Sequence, residues 1–262
     1  MSAFGQRGVP AHPIRPTALQ AVLDDPTRRP AALLTRLASG APDVEMRALA
    51  DLADHGVPWI NGVPSVALAQ DKWASLERLR EAGLPVPGTA LITREDEARP
   101  TLPAAGRYVV KPTRGSAGRG VIVGLELEQA LHRARAYAEI TGSALLQVMT
   151  GDGLDRRLFL VGDTLVAAME RRPAAGSGRG SVLYGAEATT WSPTTAQLDL
   201  ARRAQAALGL DVAGIDLVED EDGRDVVLEA NSCPGLSAIE ALTGVDIAGN
   251  MADFVLRKLP PR

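Results

Sequence analysis

Two apolar runs near the C-terminus, AGIDLVED (213–220) and VVLEAN (226–231), are separated by a polar segment that contains Asp222-Gly223. Asp-Gly between alternating apolar residues is a strong signal for a two-residue hairpin turn, so these runs constrain the fold more tightly than any other part of the chain. With Asp222 and Gly223 as the turn, Val218 faces Val227 and Asp216 faces Glu229. Side chains alternate along a strand, so Asp216, Glu229 and Asn231 share one face while Ile215, Leu217, Val226 and Leu228 line the other. Two carboxylates placed directly opposite each other repel by about 0.2–1 kcal/mol, a cost that folding alone leaves unexplained. A divalent cation between them removes it. Two carboxylates plus an amide carbonyl, with no clustered His or Cys, suit magnesium rather than zinc. On alternation alone the simpler account is a surface hairpin with one solvated face, so the metal reading needs support from elsewhere.

Composition bounds the rest. The chain has 262 residues, 45% hydrophobic and 23% charged, enough to bury a sizeable core and to divide into lobes. A net charge of −4 argues against a dedicated nucleic-acid binder. Apolar runs such as SALLQVM fall far short of a membrane span, and the N-terminus lacks the apolar core of a secretory signal, so a cytoplasmic protein with no membrane partner is expected. The single cysteine, Cys233, excludes an internal disulfide framework and fits a reducing compartment. His12, His55 and His132 are scattered, no Gly-X-Ser-X-Gly elbow is present and Cys233 has no nearby His, which disfavours nucleophilic catalysis. Only three lysines (Lys72, Lys111, Lys258) and three asparagines (Asn61, Asn231, Asn250) occur. A chain that otherwise uses arginine keeps lysine where a compact point charge is needed.

Residues 1–45 hold six prolines and little periodicity beyond a short helix expected over AALLTRLA, so this segment reads as a partly irregular arm. VEMRALADLADHG predicts an amphipathic helix, VPWI a strand, and AQDKWASLERLREAG a helix with Asp71 as N-cap and Gly83 as its stop. LPVPGTALIT is an extended segment punctuated by proline. Strands follow at RYVVK, GVIVGL and ALLQVM, with a helix over ELEQALHRARAYAEI before the last. DRRLFLV-GD-TLVAAMERR is a second hairpin, turning at Gly162-Asp163. A Gly/Ser segment, a helix over TTAQLDLARRAQAALG, the acidic hairpin and a helix from about Asp246 complete the chain. Strands and helices mix without strict βαβ alternation, which predicts an α+β protein with antiparallel sheets.

VVKPTRGSAGRGVIV sets Gly115, Gly118 and Gly120 between two strands, with Lys111 ending the first. In a Walker A loop the lysine follows the glycines and runs into a helix; here it precedes them and a strand follows. The logic is closer to a glycine hairpin folded over phosphates with a strand lysine holding them. Glycines let backbone N–H groups approach an anion, and Ser116 adds a donor. Arg171 and Arg179 flank the mobile-looking RRPAAGSGRGS, which suits a lid over a triphosphate.

These motifs, with GVPWING, DKWASLERLREAGLPVPGT and above all GIDLVED…VVLEANSCPGLSAIEALTGVDIAG, resemble the ATP-grasp superfamily, and within it the RimK-like α-L-glutamate ligases. The resemblance runs from about Arg47 to the C-terminus. It implies an ATP-grasp fold of two lobes with antiparallel sheets clasping ATP: an arm over 1–45, a remnant of the preceding domain over 46–85, a small lobe over 86–146 and a large lobe over 147–262. It also implies that Lys72 and Lys111 contact the nucleotide, that Gln147, Val148 and Met149 form a hinge along the adenine, that Asp155 binds nucleotide and that Arg179 reaches the phosphates. Asp216, Glu229 and Asn231 become ligands to two magnesium ions, with manganese as a substitute, and Arg157 and Arg171 meet a substrate carboxylate or an acyl phosphate. The sequence departs from the family at Val148, where an acid is usual, at Ser181, where an asparagine is usual, and in its short front end.

The activity implied is ATP-dependent ligation of a carboxylate to an amine, with an amino acid and a carboxylate-bearing peptide, protein C-terminus or small molecule as partners and a homo-oligomer compatible with it. A peptide-modifying ligase of a natural-product pathway and a non-catalytic nucleotide-binding protein are the alternatives. Asp216→Asn or Glu229→Gln is expected to abolish turnover with the fold intact.

Overall fold

The computed structural model describes residues 3–37, 49–50, 56–95, 101–102, 106–115, 118–151, 153–173 and 186–259. Most of the helix expected over VEMRALADLADHG lies outside these residues. No helix among those described is long and apolar enough to cross a membrane.

The described residues of the N-terminal arm hold a few short regular elements. After a 3-10 turn at Gly5–Arg7, helix α1 (Pro16–Asp24) opens on Pro16, whose fixed φ suits a first helical position, and buries Leu19 and Leu23 one turn apart. AALLTRLA does not form the expected helix. Leu33–Leu34 is instead strand β1, paired in parallel with β2 (Trp59–Ile60), because the Leu33 and Thr35 N–H groups donate to Pro58 and Ile60 carbonyls at 2.8 and 2.6 Å. A non-local pairing satisfies the backbone there, which local periodicity cannot foresee.

Helix α2 (Val63–Gln70), which the sequence reading missed, opens on a proline and ends at Asp71. Asp71 then caps α3 (Lys72–Glu81), accepting from the Ala74 N–H at 3.0 Å. A four-stranded antiparallel sheet follows, ordered β3 (Thr89–Thr93), β6 (Ser143–Val148), β4 (Tyr108–Lys111), β5 (Ile122–Leu125). Helix α4 (Leu127–Thr141) covers one face, packing Leu127, Ala130, Leu131, Ala134 and Ala138 on Ile92, Tyr108, Val110, Ala144 and Leu146.

A five-stranded antiparallel sheet is ordered β11 (Asp225–Asn231), β10 (Val212–Glu219), β7 (Asp155–Val161), β8 (Thr164–Arg172), β9 (Glu187–Thr190). Leu158, Leu160, Ile215, Leu217, Val227 and Ala230 pack under α5 (Thr195–Ala207). On the other face Phe159, Val161, Ala167, Met169 and Val212 pack under α6 (Ser237–Thr243) and α7 (Ile247–Lys258). Among the described residues this gives the α+β architecture expected, two antiparallel sheets each with its own core.

The acidic hairpin is correct in its central pair and wrong at its tip. Asp216 faces Glu229 as expected. The turn, however, is wider than two residues: the Gly223 N–H donates to the Asp220 carbonyl at 3.0 Å, and the Asp220 N–H to the Arg224 carbonyl at 2.8 Å. Val218 therefore faces Val226, and a bulge at Leu228 restores the register before Glu229. The bulge also changes the inward set, which is Val227 and Ala230 rather than Val226 and Leu228.

Candidate active site

Alternation along the large sheet builds one face whose two ends differ. Phe159 and Val161 on β7, with Ala167 and Met169 on β8, are covered by helices; the same face continues on those strands to Asp155, Arg157 and Arg171. Arg157 lies beside Asp216 across β7 and β10, and Asp155 beside Arg171 across β7 and β8. Arg157 Nε and Nη2 donate to the two oxygens of Asp216 at 2.7 and 2.6 Å, a bidentate pair of the strong kind. Arg171 Nη2 reaches Asp216 Oδ2 at 3.0 Å, and its Nε donates to Asp155 Oδ1 at 2.5 Å. Asn231 Nδ2 lies 3.4 Å from Asp216 Oδ2.

This network answers the repulsion between Asp216 and Glu229 without a metal. Strand β10 is flanked on its other side by β7, which supplies a cation that a two-strand reading omits. Burial works to raise the Asp216 carboxyl, but Arg157 and Arg171 together outweigh it and hold the group below the usual carboxylate range. Asp155 moves the other way, pushed up to about 7 by burial, with Arg171 opposing and Asp216 adding to the rise.

The second half of the site is built by lysines. Lys72 opens α3, where its N–H donates to the Thr113 carbonyl at 2.9 Å and its Nζ meets Glu229 Oε1 at 2.5 Å. Its backbone is thus tied to the small sheet's glycine loop and its side chain to the large sheet. Burial tends to raise the Glu229 carboxyl, and the attraction of Lys72 offsets this so that the net shift is downward. Lys111 is only 7% exposed and donates to Gln147 Oε1 at 2.8 Å. Burial is the main cause of its depressed pKa, about 8, with Glu229 opposing and Lys72 adding to the fall.

Gln147 is itself oriented by donation to Thr89 Oγ1 at 2.7 Å. Gln147 therefore holds Lys111, and Thr89 is a supporting residue that the sequence reading missed. Its signal was position alone, a hydroxyl on β3 opposite Gln147 in the ladder.

The remaining expectations divide. Gly115, Gly118 and Gly120 sit on the connection from β4 to β5 with φ of 133°, 68° and 73°. Gly120 also leaves room for a neighbour, since a Cβ there would stand 2.5 Å from the Tyr137 hydroxyl. The N–H groups of Val148 and Met149 donate to Gly88 and Arg107 carbonyls at 2.8 Å each, so these hinge donors are engaged within the protein. Ser116, Arg179 and Ser181, with most of the expected lid, lie outside the described residues.

The donor set fits a hard divalent cation in type: two carboxylates and an amide on one face of β10 and β11. Its charge qualifies the fit. Lys72, Lys111, Arg157 and Arg171 already outnumber Asp155, Asp216 and Glu229, so a bare cation would have to displace arginine. A cation arriving with a polyphosphate would meet four cationic side chains as well as its ligands.

A small antiparallel sheet and a large one, bridged by Lys72, whose backbone meets the glycine loop and whose side chain meets Glu229, agree with the ATP-grasp class of ligases, which the family comparison shows. More particularly, the chain belongs to the RimK-like ATP-grasp family, whose sequence profile matches residues 69–255. A probable alpha-L-glutamate ligase of Haemophilus influenzae is 32% identical over 227 residues, covering 86% of this chain and 75% of the relative. Among solved structures, D-cycloserine synthetase DcsG superposes with a TM-score of 0.74 at 22% identity, covering 98% of this chain and 92% of that one. A RimK domain protein from Sphaerobacter thermophilus gives a TM-score of 0.68 at 25% identity, covering 96% and 92%.

Proposed function

We propose that this chain is a magnesium-dependent carboxylate–amine ligase that adds glutamate or another amino acid to a peptide, protein or small-molecule acceptor through an acyl phosphate. The observation that supports it most is the convergence of Glu229, Asp216, Arg157 and Arg171 on one face of the large sheet, with Lys72 reaching Glu229 from α3. The name of the Haemophilus influenzae relative, probable alpha-L-glutamate ligase, supports glutamate as the added amino acid. Bound nucleotide and magnesium supply an activated phosphoryl group and the neutralisation its transfer requires.

The chain's own residues do the positioning. Asp216, Glu229 and Asn231 would hold two cations, manganese serving as a substitute, while Lys72 and Lys111 would hold phosphate oxygens beside the backbone of Gly115, Gly118 and Gly120. Ser116 and Arg179 are assigned further phosphate contacts, and Gln147, Val148 and Met149 would run along the base. Asp155 orients Arg171. A substrate carboxylate oxygen bonds to the γ-phosphorus as ADP leaves; an amine nitrogen then bonds to the acyl carbon as phosphate leaves and the nitrogen gives up a proton. Arg157 or Arg171, released from Asp216, stabilises the oxyanion of that second step.

Incubation of the pure protein with ATP, magnesium and a panel of amino acids and peptides, followed by ADP and product-mass measurement, tests this. ADP release with a product heavier by one amino-acid residue is expected. ADP release only when a peptide is present would point to a peptide-modifying ligase, and no release under any combination would sink the proposal.

A further inference from the structure

The segment GVPWING (56–62) carries Asn61, which follows β2 and is 1% exposed. All four hydrogen-bonding positions of its carboxamide are used. Nδ2 donates to the carbonyls of Val212 and Ser232 at 2.8 and 2.9 Å. Oδ1 accepts from the N–H groups of Asp211 and Val212 at 2.7 Å each. The Asn61 carbonyl in turn accepts from Thr35 Oγ1 at 2.9 Å.

These partners belong to two segments that have just stopped pairing with each other. The last registered pair of β10 and β11 at this end is Gly214 with Asn231; Val212 and Ser232 lie beyond it, and the Asn61 amide bridges them as an added rung. From the other side the next turn presses on β10, since a Cβ at Gly214 would stand 2.8 Å from Pro234 Cβ. The spacing of the two strands next to Asn231, and two residues along from Gly214 at Asp216, is therefore fixed by one side-chain amide and one close packing contact. Alanine at position 61 would leave buried backbone groups without partners, and aspartate would set a carboxylate against two carbonyl oxygens.

We propose that Asn61 is a positioning residue for the cation site, acting through Asn231 and Asp216 by fixing the separation of β10 and β11; this rests on the ligase reading above. Neighbours that orient metal ligands commonly contribute about 10–100-fold to metal affinity. The test measures binding of ADP with and without magnesium by calorimetry, well below the melting temperature, in full-length variants.

Asn61→Asp and Asn61→Ser should weaken Mg·ADP binding about tenfold or more while metal-free ADP binding changes far less. Gly214→Ala disturbs the same spacing by steric means and should do likewise, which keeps the idea open to refutation if both Asn61 variants fail to fold. Combining any of these with Asn231→Ala should add little further loss. Thr35→Val removes the bond to the Asn61 backbone but leaves the carboxamide; it should lower the melting temperature and leave Mg·ADP affinity unchanged. Equal losses with and without magnesium, or additive losses with Asn231→Ala, would overturn the proposal. Failure of the unsubstituted protein to bind Mg·ADP at all would instead remove the ligase reading, and this inference with it.

Discussion

Both oxygens of Asp216 accept from guanidinium groups, so replacing it has a structural consequence that replacing Glu229 lacks. Removing one partner of a buried ion network leaves the others uncompensated, and Asp216→Asn should lose about 3–5 kcal/mol of stability together with turnover. Glu229 is part-exposed, is paired with Lys72 and is attracted by Lys111, so Glu229→Gln should abolish turnover at a smaller cost, about 1–2 kcal/mol. Urea unfolding separates the two, and equal midpoints would show that the arginine network contributes nothing to the fold. The pairing thus predicts that Glu229→Gln disturbs the fold less than Asp216→Asn does. The acids could be read from the sequence because a hairpin is local; their arginine partners could not, since β7 meets β10 across more than fifty residues of chain. Lys111 gives a second prediction. Its folded pKa of about 8 lies below its ordinary value of 10.5, so between those pH values the unfolded chain binds more protons and stability rises with pH. The burial penalty is fully present below pH 8 and relieved above it. Relative to Lys111→Met, the unsubstituted protein should therefore gain stability from pH 8 to 10, by about 2 kcal/mol, as denaturation midpoints would show; a difference independent of pH would mean that Lys111 keeps its ordinary pKa.

At the scale of elements, two Gly/Asp turns show what local sequence can and cannot specify. Gly162-Asp163 is the two-residue turn expected, with Val161 facing Thr164 and Gly162 at φ 57°. Asp222-Gly223 carries an equally strong signal but is overridden by Asp220, whose Oδ1 accepts from the N–H groups of Asp222 and Arg224 at 2.9 Å each and widens the loop. The Leu228 bulge then returns Glu229 to the position opposite Asp216. Helix α3 was legible because its cap is a side chain in the sequence, whereas α2 and β9 depend on packing and sheet pairing that leave little periodic trace. Gly162 offers a direct check on how tightly the expected turn is held. A Cβ there would stand 2.7 Å from the Phe254 ring of α7, at a positive φ. Gly162→Ala should cost about 1–3 kcal/mol, and Phe254→Leu in the same chain should recover the steric part only. Full additivity of the two changes in a double-mutant cycle would exclude the clash.

Across the whole molecule, the front end belongs to the body. Arg7 donates to both carboxylate oxygens of Asp253 on α7, and Arg36 Nη2 donates to the Pro234 carbonyl at 2.9 Å beside the turn that follows Asn231. Leu19 and Leu23 share a core with Val57, Val63 and Val66. The prolines suggested an irregular arm because each interrupts a local pattern, while the contacts that order it lie up to 246 positions away. The site joins these parts through matched charges, and that matching predicts how the molecule responds to ligands. Each acid of the cluster already has a cationic partner, so magnesium alone gains little by binding, whereas a nucleotide polyphosphate brings the anion that Lys72, Lys111 and the released arginines require. At 100 times its dissociation constant a ligand stabilises by about 2.7 kcal/mol, which for a chain of this size corresponds to about 5–10 °C in melting temperature. Mg·ADP should produce such a rise, magnesium alone should produce almost none, and chelation of the metal should remove most of the nucleotide's effect. Lys111→Met should lose the rise even with metal present. A rise of the same size with magnesium alone would mean that the carboxylates are free to take a cation unaided, contrary to the pairing of Asp216 with Arg157 and of Glu229 with Lys72.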